Sequence, residues 1–487
     1  MLSTLLLLPL TGAFIIALLP VRDPALIRRI ALLATLVVAA FAWSLLAHFD
    51  PADAGIQFYE VHAWHERLGS SFSLGVDGFS LPLILLATVL MPVAVVASAN
   101  VKQGAKFYFS LLMLLETAML GVFMARDWSL FYVFWELTLI PLFFLIDRLG
   151  GQNRQRRQKA ALNFVLYTMG GSVFMLLAIL LLYDVVPAHS FSMSAIAAAA
   201  PGLPVATQVW IFLGLLIGFG VKMPIFPLHG WLPLAHVEAP SAVSILLSGI
   251  LLKMGSYGLL RAVETLPGAA LALQSLLVTL AFVSMIYGGV LAWRSRDLKE
   301  MIAYSSISHM GVVLLGIAAL NPAGFAGATM QMIAHGLVAG ALFFLVGLLY
   351  ERTHTRDIGD YASLVRTMPR FAFFMVLALT AAVGLPGTAG FIAELHALIG
   401  GFARWGLWMV FLSISLLISA AYAFRTVGRL FTGPVSATMK SVPDLSRTEM
   451  TAAAALAFGI VAIGLFPAPA LNLFGASVAR LAQYFGA

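Results

Sequence analysis

The sequence is short of two things: it contains no cysteine, and only 10% of its 487 residues are charged. Without cysteine the chain cannot form a disulfide, hold a thiolate-bound iron–sulfur cluster or bind zinc through cysteine. A soluble domain carries about 25% charged residues. Charge this sparse cannot cover a surface exposed to water, so a soluble fold is excluded.

Apolar residues take the place of the missing charge and make up 61% of the chain. They recur in runs of about 18 residues or more, each long enough to cross a hydrocarbon core of about 30 Å. Lipid offers no partners to backbone polar groups, and the runs are too long for barrel strands, so the spans must be helices. The sequence therefore predicts an all-α integral membrane protein of about 14 transmembrane helices. The first run, residues 1–20, has no basic leader and is interpreted as a retained span.

The formal charge of +7 comes from basic residues scattered in short loops, without the interleaved aromatic residues of a nucleic-acid interface. On the predicted topology, 21 Lys and Arg residues fall on one side of the membrane and 5 on the other. Since cytoplasmic loops carry the excess, both termini are expected to face outward, which in a bacterium is the periplasm. The loop from Asp50 to Asp77 shows partial alternation and is predicted to be an ordered external hairpin.

Four intramembrane polar residues recur at a regular spacing. His309 follows Glu136 by 173 residues, and Glu394 follows Lys222 by 172. Lys222 and Glu394 lie in spans interrupted by proline, at 222–227 and 385–387. The spacing indicates a five-helix unit used twice, and an odd number of helices forces the second copy to be inverted. Coincidence between two proline-containing spans is the alternative.

This organisation divides the chain into four predicted parts. Residues 1–105 form N-terminal helices 1–3 with the hairpin, and residues 106–262 form the first five-helix repeat. Residues 270–431 form the second, inverted repeat, and residues 449–487 form the C-terminal helix 14.

Ionisable residues within spans are the candidate functional groups, because placing a charge at the bilayer centre costs at least about 2.5–3.5 kcal/mol. Glu136 has no base within a helical turn, and Lys222 lies where a broken helix frees carbonyl groups. The two are expected to pair. Lys253 is a second buried base, and Glu394 lies in the second broken helix.

Histidines complete the candidate set. His309 and His335 could bridge the two repeats as neutral proton relays. Structural ion pairs that join helices are the alternative, but four ionisable groups in four spans favour a proton path. Glu116 is a weaker candidate, and the two histidines of the loop at 229–240 fit a proton entrance or a structural turn equally well. No nucleotide, flavin, haem or metal motif is present.

Several stretches resemble a known family. Residues 221–261, with Lys-Met-Pro-Ile-Phe-Pro-Leu-His-Gly-Trp-Leu-Pro, are similar to the proton-antiporter-like subunits of respiratory complex I and of multisubunit Na⁺/H⁺ antiporters. The strings at 332–337, 349–357 and 385–388, together with Glu394, are similar to the M subunit of NADH:quinone oxidoreductase, the counterpart of mitochondrial subunit 4. The sister subunits L and N are expected to carry lysine at the position of Glu394.

The resemblance implies a half-channel arrangement, in which Glu136 pairs with Lys222, Lys253 and the histidines connect the repeats, and Glu394 is the terminal group. Two positions depart from the family pattern: Leu234 replaces an acid, which puts an entrance role for its loop in doubt, and His396 replaces an apolar residue.

The expected function is proton translocation in the membrane arm of a complex I in the bacterial inner membrane. NADH, FMN, quinone and the iron–sulfur clusters are expected on partner subunits, with neighbours L and N in the bilayer and no nucleic acid or metal. The alternatives are a subunit of an Mrp-type cation/proton antiporter or membrane-bound hydrogenase, or a scaffold that conducts nothing.

Overall fold

The computed structural model describes residues 1–187, 189–435 and 439–486, and within these ranges the regular structure is helical apart from one pair of strands and isolated bridges. The last predicted part ends at residue 487, which lies outside the described ranges. The amino-terminal elements are α1 Leu2–Leu18, α2 Pro24–Ser44, β1 Gln57–His65, β2 Ser70–Val76 and α3 Ser80–Val96.

The middle of the chain corresponds to the first predicted repeat. Its helices are α4 Ala105–Met124, α5 Trp128–Leu137, α6 Leu139–Leu149, α7 Arg154–Val185, α8 Met193–Ala199, α9 Val205–Lys222, α10 Trp231–Glu238, α11 Ser241–Leu246, α12 Leu252–Thr265 and α13 Pro267–Ala272. A π-helical segment, Leu247–Leu251, joins α11 to α12.

The remainder contains the second predicted repeat and the carboxyl-terminal helices. They are α14 Gln274–Arg294, α15 Leu298–Ala318, α16 Pro322–Thr353, α17 Leu364–Thr367, α18 Pro369–Ala382, α19 Ala389–Trp405, α20 Met409–Leu412, α21 Ile414–Phe431, α22 Arg447–Leu465 and α23 Ala468–Gln483.

The predicted class of helical membrane protein is confirmed. Among the described residues, 11 helices are long and apolar enough to cross a membrane. The three other predicted spans coincide with the shorter apolar helices α1, α3 and α18, the last of which continues into α19 after a break. The total of about 14 crossings stays a prediction.

The hairpin predicted between Asp50 and Asp77 is present. Strands β1 and β2 are antiparallel, with Gln57 opposite Val76. Leu74 on β2 also forms a bridge with Ala125, just after α4. The hairpin is thereby fixed to the end of the first repeat's opening helix.

Both predicted breaks are also present. Helix α9 ends at Lys222, and the indole Nε1 of Trp231 donates to the carbonyl of Val221 at 2.9 Å, which satisfies one carbonyl at the helix end. Between α18 and α19, Gly384 and Gly387 have φ angles of 76° and 92°. Only glycine adopts this left-handed conformation without strain, so these two residues allow the chain to turn inside the second broken helix.

The two predicted repeats share one structural feature. Helices α7 and α16 are both 32 residues long. Each packs against both halves of a broken helix, α7 against α9 and α10, and α16 against α18 and α19. This correspondence supports the division into repeats, which stays a prediction.

Burial separates the helices into two groups. The segment Ser241–Thr265 and helices α15 and α16 are almost completely enclosed by protein, whereas α2 and α22 turn most of their apolar surface outward. Polar residues on the enclosed helices are therefore shielded from lipid, and several of them contact one another.

Candidate functional site

A lysine and a histidine meet at the centre of the enclosed helices. The Nζ atom of Lys253 on α12 lies 2.6 Å from Nδ1 of His335 on α16 and donates to the backbone oxygen of Ser248 at 2.7 Å. Ser248 belongs to the π-helical segment, a distortion that is frequent at functional sites. Lys253 is fully buried, so these contacts replace the water that its amine would otherwise bind.

The contact continues from His335 to Glu394 across two more helices. The rings of His335 and His309 are 5.4 Å apart between centroids. His309 Nδ1 lies 3.5 Å from Oε1 of Glu394 on α19 and 3.3 Å from Nε2 of Gln331. Four of the predicted residues, Lys253, His335, His309 and Glu394, therefore form one buried series, which is called the central chain below.

The central chain has the chemistry needed to pass a proton. Each imidazole has two nitrogens, one of which donates while the other accepts, so a proton arriving at one nitrogen can leave from the other. Within the described structure, Nε2 of His309 and of His335 and Oε1 of Gln331 are buried without a protein partner. Groups of this kind bond readily to water, which can connect donors too far apart for direct contact.

Lys222 has a different environment from the one predicted. Its ammonium donates to the hydroxyl of Thr138 at 2.9 Å and lies 5.0 Å from the ring centre of Trp135. The Thr138 hydroxyl in turn donates to the carbonyl of Trp135 at 2.7 Å, so its lone pair is free to accept from the lysine. Cation–π contact with the indole adds further stabilisation.

The expected direct ion pair between Glu136 and Lys222 is not formed among the described residues, and that expectation is corrected. Glu136 follows Trp135 by one residue, a rotation of about 100° on a helix. Its side chain lines an apolar groove with Val133, Ile140 and Val165, whereas Trp135 faces Lys222. The two charges still interact through space, but no hydrogen bond joins them in the described structure.

The loop with two histidines lies beside a polar cavity. His236 on α10 is completely buried, stacks on Phe343 with centroids 4.4 Å apart, and has no hydrogen-bond partner for either ring nitrogen among the described residues. The neighbouring cavity, of about 350 Å³, is lined by polar residues that include Glu238, Lys299 and Glu351. The structure thus brings one of the two histidines close to a polar opening.

The remaining sequence candidates lie apart from the central chain. Glu116 on α4 is fully buried, and neither carboxylate oxygen has a partner in the described structure. Leu234, where the family pattern has an acid, is 43% exposed. His396 bonds through Nδ1 to the carbonyl of Ile392, one turn earlier, at 2.8 Å.

Sequence reasoning missed the uncharged partners of the site. Thr138, Ser248 and Gln331 contact Lys222, Lys253 and His309 respectively. Hydroxyl and amide residues are common in membrane helices. Only their spacing from the charged residues could have identified these three as partners.

The described residues contain no group of three or more His, Cys, Asp and Glu side chains that could hold a metal ion. The central chain consists of amine, imidazole and carboxyl groups, which are able to exchange protons. The fold and this series together define a class of protein, the antiporter-like membrane subunits.

Comparison with known proteins agrees with this class. A family model described as "NADH:quinone oxidoreductase/Mrp antiporter, TM" matches residues 125–419, and another described as "NADH-ubiquinone oxidoreductase chain 4, amino terminus" matches residues 26–125. NADH-quinone oxidoreductase subunit M of Rhodobacter capsulatus is 39% identical, over 100% of this chain and 97% of its own length. NAD(P)H-quinone oxidoreductase chain 4 2 of Thermosynechococcus vestitus is 39% identical, over 99% and 92%.

Solved structures show the same relationship. A chain of respiratory complex I from Thermus thermophilus superposes with a TM-score of 0.90 at 30% identity, over 99% of this chain and 100% of that one. A chain of the Mrp complex from Dietzia gives a TM-score of 0.84 at 25% identity, over 99% of this chain but 52% of that one.

The chain belongs to the NADH:quinone oxidoreductase/Mrp antiporter family, and within it to the proteins named subunit M or chain 4 of NADH-quinone oxidoreductase. It is a proton-translocating subunit of the membrane arm of complex I, part of an oxidoreductase complex, and it associates with other subunits of that complex.

Proposed function

We propose that the chain moves protons through Lys222, Lys253, His335, His309 and Glu394, with Glu136 acting on Lys222 through its charge. The observation that carries the proposal is the unbroken series of contacts from Lys253 to Glu394 across four helices. A lysine, two histidines and a carboxyl group in contact can each hold a proton in turn. Buried ionisable groups in a membrane protein commonly mark such relays.

The polar cavity beside His236 is the proposed inlet. It adjoins Lys299 and Arg356, which belong to the side with the larger number of basic residues and are therefore assigned to the cytoplasm. His236 is adjacent in sequence to Val237, which lines this cavity, and it interacts electrostatically with His335. Of the two alternatives for this loop, a proton entrance is favoured by the burial of an imidazole without protein partners in the described structure.

Glu394 is the proposed outlet, so protons leave on the side of both termini, which is assigned to the periplasm. The neighbouring chains are proposed to be the L and N subunits, and the membrane the bacterial inner membrane. NADH, FMN, quinone and the iron–sulfur clusters are assigned to partner subunits. For the clusters the reason is that this chain has no cysteine to hold one.

Lys253→Met in the complete complex tests this function. The measurement is the number of protons moved per electron pair in vesicles, together with quinone reductase activity and an assembly check. Methionine keeps the length of the side chain but cannot carry a proton, so pumping by this subunit should fall about 100-fold. The matched control is Lys106→Met at the start of α4, whose ammonium bonds the carbonyl of Leu19 away from the central chain.

Unchanged pumping by a fully assembled Lys253→Met complex would overturn the proposal and leave the scaffold alternative. The antiporter alternative differs in its partners: purification with L and N subunits and an NADH-oxidising arm supports complex I, whereas purification with short antiporter subunits contradicts it.

A further inference from the structure

A cluster of five charged residues lies at the opposite end of α12 from the polar inlet. Asp77 accepts from Arg126 at 3.2 Å and from Arg261 at 2.5 Å. Arg261 also donates to Glu264 at 2.8 Å, and Glu264 accepts from Arg480 at 2.8 Å. The five residues, called the outer cluster below, join the end of the hairpin, the start of α5, the end of α12 and helix α23.

The outer cluster carries an excess of positive charge. It contains three guanidinium groups and two carboxylates, which leaves one positive charge without a partner of opposite sign within the cluster. Arg126 and Arg261 have side chains that are only 4% exposed. Arg480 is 33% exposed, so water screens part of the excess, but the two buried guanidinium groups make one additional negative charge stabilising for the cluster.

A cavity beside the outer cluster has room for such a charge. It measures about 90 Å³ and is lined by Arg126, Arg261, Glu264 and Arg480, and by Trp128. This space has room for a few water molecules. A small anion such as chloride fits it.

The hydrogen-bonding groups at the cavity also favour an anion. In the described structure, Nε of Arg261 and Nε1 of Trp128 are buried without a partner. Both are groups that only donate. Glu264, the one carboxylate among the lining residues, already accepts from Arg261 and Arg480. Unused donors and excess positive charge therefore coincide at one cavity.

We propose that this cavity binds one monovalent anion, which neutralises the outer cluster and fastens the hairpin, α5, α12 and α23 to one another. The anion is either free chloride or the phosphodiester group of a lipid, since both carry one negative charge and accept hydrogen bonds. The site is separate from the central chain, and the assignment does not depend on the proton path.

The test measures the thermal unfolding midpoint of the purified complex in chloride and in gluconate at equal ionic strength and pH. Where the bound anion is chloride, the midpoint should rise with chloride and saturate, because gluconate is much bulkier and binds such a site poorly. In Arg480→Gln the cluster has equal numbers of positive and negative groups, and this dependence should disappear. Trp128→Phe keeps an aromatic ring but removes a donor, and should weaken the chloride affinity about tenfold or more.

Arg404→Gln is the matched control, because Arg404 is a partly buried arginine that donates to Gln274 and does not line the cavity. This variant should keep the chloride dependence. A chloride effect of equal size in the native complex, Arg480→Gln and Trp128→Phe would overturn the proposal, because it would show a general effect of salt.

Removing lipid from the complex distinguishes free chloride from a lipid phosphodiester as the bound anion. If chloride alone restores the midpoint of the delipidated complex, the anion is free chloride. If only a phospholipid restores it, and mass spectrometry finds that lipid lost from Arg480→Gln, the anion is a lipid phosphodiester. If neither raises the midpoint, the proposal fails. Trp128→Phe provides the same test should Arg480→Gln not assemble.

Discussion

Lys253 and His335 lie on different helices, and their nitrogen atoms are 2.6 Å apart. At this distance a proton on the lysine is already hydrogen-bonded to the imidazole, so the pair can exchange it without rearranging the helices. When the lysine donates to Nδ1, the proton of the neutral imidazole is on its other nitrogen, Nε2, which is then able to pass it on. The geometry makes a specific prediction about the lysine.

Lys253→Arg should abolish proton transfer although it preserves the positive charge. Arginine remains protonated in proteins, so it cannot release a proton to His335. Pumping should fall by roughly 100-fold, as for the loss of a positioned acid–base group, while assembly stays intact. Proton uptake in vesicles measures the effect. Pumping at the native rate would mean that Lys253 serves only as a fixed charge.

Thr138→Val should impair Lys222 without removing it. The substitution takes away the hydroxyl that accepts from the ammonium at 2.9 Å, and a hydrogen bond to a charged group contributes about 1.5–3 kcal/mol. Pumping should therefore fall about tenfold, less than in Lys222→Ala. Thr138→Ser keeps the hydroxyl and is the control, which should pump at close to the native rate. Equal rates for the valine and serine variants would show that this bond has no part in transfer.

Gly384→Ala should disturb Glu394 directly. A β-carbon at residue 384 would lie 2.6 Å from Oε2 of Glu394, and the residue has a φ angle of 76°. Gly387→Ala is a matched control, since its φ of 92° imposes similar strain but its β-carbon would meet only Leu465, at 3.7 Å. Both variants should lose about 1 kcal/mol of stability. Only Gly384→Ala should lose most of its pumping.

The same two variants separate strain from displacement of the carboxylate. Thermal unfolding measures the stability of each, and proton uptake measures transfer. If Gly387→Ala loses as much pumping as Gly384→Ala, the effect comes from the backbone of the broken helix and not from the position of Glu394.

Much of the fold could be predicted because membrane insertion leaves strong signals in sequence. Long apolar runs predicted the helices, and prolines after Lys222 and before Glu394 predicted the two breaks. The cost of burying charge also identified the members of the central chain. These rules concern single residues and their solvent, so they do not require knowledge of how helices are rotated.

Predictions that depended on how each helix is rotated about its own axis were less successful. Glu136 and Trp135 are adjacent in sequence, yet Trp135 lies against the Lys222 ammonium, whereas Glu136 forms no ion pair with it in the described structure. A difference of one residue decided the outcome. The outer cluster is another example, because Asp77 and Arg261 are 184 residues apart. Their contact depends on the packing of the hairpin against α12, which no local pattern in the sequence indicates.

Asp77 should make the stability of the protein depend on pH. Burial opposes ionisation of its carboxyl group, but the charges of Arg126 and Arg261 and their hydrogen bonds hold its pKa well below the ordinary value. Because the folded pKa is lower than the unfolded pKa of about 3.9, the unfolded chain binds the proton more readily. The stabilisation is therefore complete above about pH 4 and is lost as the pH falls towards the folded pKa.

Asp77→Asn isolates this contribution. The substitution removes the charge but nearly preserves the shape, and it leaves two buried guanidinium groups without their shared carboxylate. Breaking a buried ion pair costs about 3–5 kcal/mol, so the unfolding midpoint at neutral pH should drop clearly. Below about pH 4 the unfolding midpoint of the native protein should approach that of Asp77→Asn, because the variant has no carboxyl group at residue 77 to titrate. Parallel pH curves for the two proteins would show that folding does not shift the pKa of Asp77.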